Sequence, residues 1–180
     1  VIAVLWSFIY HPTIGLLNGF LTGIGLTQFA NFPWLGDRGT VFGAVLAMVV
    51  WQSVGFYMVL FVAGMQGIPP EYYEAAEIDG ATSWVKFWSV TVPLLWDTIR
   101  TAIVFLAIGA MDLFAQVQVM TNGSGGPSRA ADVVPTYLYQ TAFSDGQFGY
   151  ATAMGLVLLI LVFILSVLSL RFTARETLEY

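Results

Sequence analysis

The chain has no cysteine and a single histidine in 180 residues, and only 9% of it is charged. Without cysteine there is no disulfide framework, no thiol nucleophile and no thiolate metal site. His11 stands beside Pro12 with no other ligand type nearby, which fits a structural residue at a helix break. Nothing matches Gly-x-x-x-x-Gly-Lys-Ser/Thr, so the chain has no phosphate loop with which to hydrolyse ATP. Gly123 to Pro127 is glycine-rich but has no lysine and reads as a turn. Six basic residues against eleven acidic ones, a net charge of −5, leave no basic face for nucleic acid. A polytopic membrane enzyme would need titratable groups gathered near one plane, and a channel a charged or carbonyl-lined filter. Neither pattern is present, so no residue is assigned as catalytic, metal-binding or cofactor-binding.

What is abundant is apolar. Hydrophobic residues make up 58% and mean hydropathy is +0.79, the balance of a membrane chain. Val1 to Tyr10 is uncharged but too short to span, and reads as the outer end of a truncated helix. Thr13 to Thr40 is punctuated by glycine, asparagine and proline; a short interfacial helix over Leu16 to Leu26 is expected there, with Trp34 at headgroup level. Val41 to Met65 is uncharged and, as a helix, rises ~37 Å, enough to cross a ~30 Å hydrocarbon core with tilt. A second span is expected from about Leu94 through Thr101 to Gln118, with Asp97 and Arg100 at its entry and Asp112 inside it. Thr121 to Gly149 is polar and turn-rich, and Tyr150 to Leu170 forms the last span, followed by Arg171 and Arg175. The pattern predicts one all-α membrane domain over residues 1–180, a truncated helix plus three spans, with no repeat and no second domain.

Between the first two spans lies the one charge-bearing interval, Pro69 to Pro93, with Glu71, Glu74, Glu77, Asp79 and Lys86. Prolines suit a first helical turn, and Glu71 and Glu74 then lie near the positive end of the helix dipole. Ala75 and Ala76 favour the helix, and Gly80 is placed to end it in a left-handed cap. Thr82 or Ser83 can cap a second short helix running to Pro93. The interval therefore predicts a compact helical knob.

Glu74-Ala75-Ala76, two residues, Asp79-Gly80-Ala81, eight residues, then Val90-Thr91-Val92-Pro93 resembles the EAA loop of type I ATP-binding-cassette importer permeases. Valine stands at both aliphatic positions of the closing Ile-x-Leu-Pro. The Asp-Gly-Ala form resembles the carbohydrate-uptake, maltose-type branch. The resemblance implies a MetI-like permease fold in a bacterial or archaeal inner membrane and a role without catalysis. It also implies a dimer of ATPase subunits, a second and paralogous permease subunit, and an external solute-binding protein as partners. Residues 69–93 would be the coupling loop, touching the ATPase through Tyr72, Tyr73, Glu74, Ala75, Ala76, Ile78, Asp79, Gly80 and Ala81. Lys86, Arg100, Arg171 and Arg175 on one side against Arg38 and Arg129 on the other place the knob and the C-terminus in the cytoplasm.

A solute crossing the bundle needs polar groups inside the membrane. Asp112 is the most telling, because an intramembrane carboxylate is costly. Helical spacing puts Gln116 one turn beyond it and Gly109 nearly one turn before. Gln52, Ser53 and Phe56, with Trp51 adjacent, form the corresponding patch on the preceding span. No Arg or Lys lies within either span, which suits a neutral mono- or oligosaccharide; glycerol phosphate or another polyol is the alternative substrate. The plain reading of these polar residues is helix-to-helix hydrogen bonding.

Overall fold

The computed structural model describes residues 1–172, and among them there is no strand. Helix α1 covers Ile2–Ile9 and stops at Tyr10, just ahead of His11-Pro12. Helix α2 (Leu16–Gly23) and a 3₁₀ turn (Thr27–Phe29) lead to the long α3, Val41–Gln66. The knob holds α4 (Glu71–Ile78), α5 (Ser83–Lys86), a π-helical turn (Phe87–Thr91) and α6 (Val92–Leu94). Then come α7 (Trp96–Met111), α8 (Phe114–Met120), a 3₁₀ turn (Pro127–Arg129), α9 (Val134–Phe143) and α10 (Phe148–Phe172).

Helices α3 and α10 are long and apolar enough to cross a membrane, and both are apolar all round. Only 11% and 6% of their most apolar windows are buried within the chain, so lipid or further protein must cover the rest. The second span departs from expectation. It is not one helix from Thr101 to Gln118: α7 ends at Met111, Asp112 and Leu113 are non-helical, and α8 restarts at Phe114. Gly109 and Asp112, both weak helix formers, stand at the break. A second difference lies in Thr121–Gly149, where the ten-residue α9 starts with Pro135 in its first turn. Arg175 lies outside the described residues.

Contacts divide the chain into two compact units, one made of 1–53 with 109–161, the other of 54–108 with the end of α10. The core of the first unit gathers Val41, Ala44, Val45 and Met48 of α3, Val117 and Met120 of α8, and Tyr10 and Ala131. Tyr10 Oη donates to the Ala44 carbonyl at 3.1 Å, tying the end of α1 to α3. Asn18 organises the loop after α2. Its Nδ2 donates to the carbonyls of Pro12 (2.9 Å) and Phe32 (3.0 Å), and its Oδ1 accepts from Trp34 Nε1 at 2.5 Å. In the second unit, α3 comes close to the start of α7 at Gly64. A Cβ there would sit 2.5 Å from Thr98 Oγ1 and 2.9 Å from Leu95 Cδ2.

Candidate functional site

The knob is built from its caps outward. Pro70 precedes α4, and Glu71 and Glu74 occupy its first turn, where carboxylates are favoured. At its end Gly80 has φ +74°, with its N–H donating to the Glu77 carbonyl (3.0 Å) while the Ala81 N–H reaches back to the Ala76 carbonyl (2.9 Å). These two bonds are the Schellman closure, and they explain why Asp-Gly-Ala follows Glu-Ala-Ala at this spacing. Thr82 then caps α5, its Oγ1 accepting from the Val85 N–H at 3.5 Å.

Two side-chain ties fold α4 onto α5 and the π-helical turn. Tyr73 Oη and Thr91 Oγ1 are 3.1 Å apart, with Thr91 buried, and Lys86 Nζ donates to Glu77 Oε1 at 2.6 Å. That hydrogen bond, reinforced by the ammonium charge, holds the Glu77 carboxyl below the usual carboxylate range. Tyr73, named among the residues that would touch the ATPase, is half-buried and faces Thr91. Tyr72, Glu74, Ala75, Ile78, Asp79 and Gly80 are exposed, Ile78 at 87%; Ala76 and Ala81 are half-buried. Thr91 and the Glu77–Lys86 pair escaped the sequence reading, because a bond between residues nine or eighteen apart has no local signature.

The intramembrane candidates are more scattered. Ser53 Oγ donates back to the Val49 carbonyl at 2.8 Å, so its hydroxyl is satisfied within α3. Gln52 is exposed. Trp51 packs edge-on against Trp6 at 5.7 Å, and Phe56 edge-on against Phe105 at 5.7 Å. Gly109 and Asp112 are exposed. The helix break removes the common face expected for Gly109, Asp112 and Gln116, since no single helix carries Asp112 and Gln116. Gln116 Oε1 is buried without a hydrogen-bond partner among the described residues, an acceptor that a native chain seldom leaves unused. A cleft of about 800 Å³ in the first unit, lined by Ser7, Phe8, His11, Thr121, Asn122 and Pro127 among others, includes none of these candidates.

With helices, knob and spacing in view, the class is defined. Residues 1–177 match the family of binding-protein-dependent transport system inner membrane components, and the chain belongs to it. It is 46% identical over 88% of its length to a diacetylchitobiose uptake system permease of Streptomyces coelicolor, and 41% identical over 98% to a probable ABC transporter permease of Bacillus subtilis. It covers 44% and 60% of those two proteins. Its fold superposes on a chain of the crystal structure of a bacterial ABC transporter involved in import of the acidic polysaccharide alginate. There the TM-score is 0.82 at 24% identity, over 98% of this chain and 60% of that one. The expected all-α permease fold is therefore correct.

Proposed function

We propose that the chain is the non-catalytic permease subunit of an ATP-driven importer, forming part of the path of a mono- or oligosaccharide and coupled to a separate ATPase through α4. The observation that carries this reading is the knob: a helix closed by a Schellman turn, tied at Tyr73–Thr91 and Glu77–Lys86, yet presenting Tyr72, Glu74, Ala75 and Ile78 outward. Such a body transmits displacement without absorbing it. Small residues beside an exposed Ile78 suit seating in a partner's groove. The sugar class draws support from the diacetylchitobiose relative and from the absence of Arg and Lys in α3 and in α7 beyond Arg100. Asp112, exposed at the break, is the group offered to sugar hydroxyls; Gln116 Oε1, buried and without a partner among the described residues, would join it once a helix shift uncovers it. A second permease subunit and an outer solute-binding protein complete the assembly, the latter meeting the loops around Trp34 and Thr121–Gly149. The knob faces the cytoplasm, by the bias of Lys86, Arg100 and Arg171.

The test is uptake of labelled disaccharides, monosaccharides, glycerol phosphate and an amino acid by cells carrying the full-length transporter, with and without Gly80→Pro. Proline cannot adopt φ +74° and lacks the N–H that closes the turn onto Glu77. Sugar uptake is expected in the parent and its loss in the variant, with membrane insertion unchanged. Uptake of glycerol phosphate alone would overturn the substrate class. Normal transport by an inserted Gly80→Pro protein would overturn the coupling role.

A further inference from the structure

The segment Ser83–Leu94 divides its side chains between two sides. Lys86 and Thr91 hold α4, through Glu77 and Tyr73. Trp84, Phe87 and Trp88 turn away, 70%, 45% and 54% exposed, and pack edge to face, with centroids 5.8 Å apart for Trp84–Trp88 and 5.2 Å for Phe87–Trp88. Three large aromatic rings side by side on the surface call for a cover. The side that grips α4 is not available for it, and the outward surface of α4 lies on another helix.

Orientation identifies the cover. Ser83–Leu94 and α7 meet at Leu95 with a bend of 69°. If α7 stands along the bilayer normal, the arm lies about 20° from the membrane plane, and a tilt of α7 by about that much, usual for a spanning helix, would lay the arm flat. The aromatic side is continuous in the chain with α7, which together with the arm is apolar enough for one bent membrane span and exposes Ile103, Phe105 and Leu106. Indole rings favour the headgroup boundary, where the ring is in an apolar layer and the N–H in a wet one.

We propose that the Ser83–Leu94 arm lies in the lipid headgroup layer, anchored by Trp84, Phe87 and Trp88, so that the bilayer surface bears the coupling knob. This rests on α7 crossing the membrane, but not on which side the knob faces, nor on the solute.

These 180 residues contain no cysteine, so single-site labelling requires only that any cysteine elsewhere in the full-length permease be replaced. Nitroxides are placed at Trp84→Cys, Trp88→Cys and, on α7, Phe105→Cys, in the full-length permease assembled with cysteine-free partner subunits in lipid nanodiscs. Collision rates with oxygen, which partitions into lipid, are compared with those of a water-soluble nickel chelate. Labels at 84 and 88 are expected to collide with oxygen several-fold more often than with the chelate, at a depth shallower than the label at 105. Chelate-dominated collisions at 84 and 88, or loss of collisions with both reagents because a protein covers the site, would overturn the proposal. If position 105 also proves water-exposed, the spanning role of α7 fails first; if only 84 and 88 do, the lipid anchor alone falls. A second reading leaves the rings aromatic. Lipids brominated near the carbonyl end of their chains are expected to quench tryptophan emission measurably less in Trp84→Phe/Trp88→Phe than in the parent, and equal quenching would count against the anchor.

Discussion

Asp112 owes its position to a helix break rather than to a helix face. It follows α7 and precedes α8, with its backbone N–H donating to the Gly109 carbonyl at 3.1 Å. Asp112→Asn keeps shape and hydrogen bonding while removing the charge; uptake is expected to fall roughly tenfold, a loss of ~1.4 kcal/mol, with no change in thermal stability. Gln116→Leu removes the unpartnered acceptor, and its expected signature is a raised KM for sugar in transport assays with thermal stability equal to or above the parent's. Gly64 is the opposite case. A methyl group there meets Thr98 and Leu95, so Gly64→Ala is expected to cost ~1–3 kcal/mol and to lower the unfolding midpoint in detergent. The Glu77–Lys86 pair carries a pH dependence whose sign is set by the lowered Glu77 pKa. Its contribution is complete above the ordinary carboxylate pKa and disappears as pH falls through the lowered one. A nitroxide at Glu74→Cys is thus expected to keep the same mobility from neutral pH down to the carboxylate range and to loosen below it. Lys86→Met should loosen it already at neutral pH.

At the scale of elements, the knob was the most legible part of the chain and the second span the least. Pro69-Pro70, Glu71, Glu74, Asp79-Gly80 and Thr82 act through bonds spanning at most five residues, so their order along the chain specifies both helices and the turn between them. The same locality explains why Val41 and Phe148 begin long helices near the expected places. The break after Met111 has no proline to announce it, and a hydropathy window runs straight across it. Helix α9 was hidden by the polar turns that flank it, although Val133 and Pro135 mark its start. The π turn at Phe87–Thr91 has no signature of its own, but it sets Thr91 against Tyr73. Thr91→Val, which removes one hydroxyl at constant shape, should weaken coupling if that tie stiffens the knob. The measurement is the ratio of sugar transported to ATP hydrolysed by the full assembly, and an unchanged ratio would mean that the tie is dispensable.

At the scale of the whole molecule, the chain belongs to a family of inner membrane transport components, and among the described residues its two long apolar helices bury little of their surface. Its candidate pathway residues could be nominated from sequence because carboxylates and amides are rare in apolar stretches, but their grouping could not, since that depends on how separate helices meet. The bend at Leu95 has a mechanical meaning. Leu95 keeps one bond to each arm, its N–H donating to the Thr91 carbonyl and its carbonyl accepting from the Ile99 N–H, both at 2.9 Å, and Gly64 lets α3 approach Leu95 and Thr98 closely. A corner that holds its angle in this way would act as a bell crank. A push of about 3 Å on the far end of an arm of roughly 18 Å (1.5 Å per residue) turns the crank by ~10°. Under the coupling role proposed above, sideways force applied at the knob would emerge as tilt of α7, with a stroke set by arm length and not by the strength of any one contact.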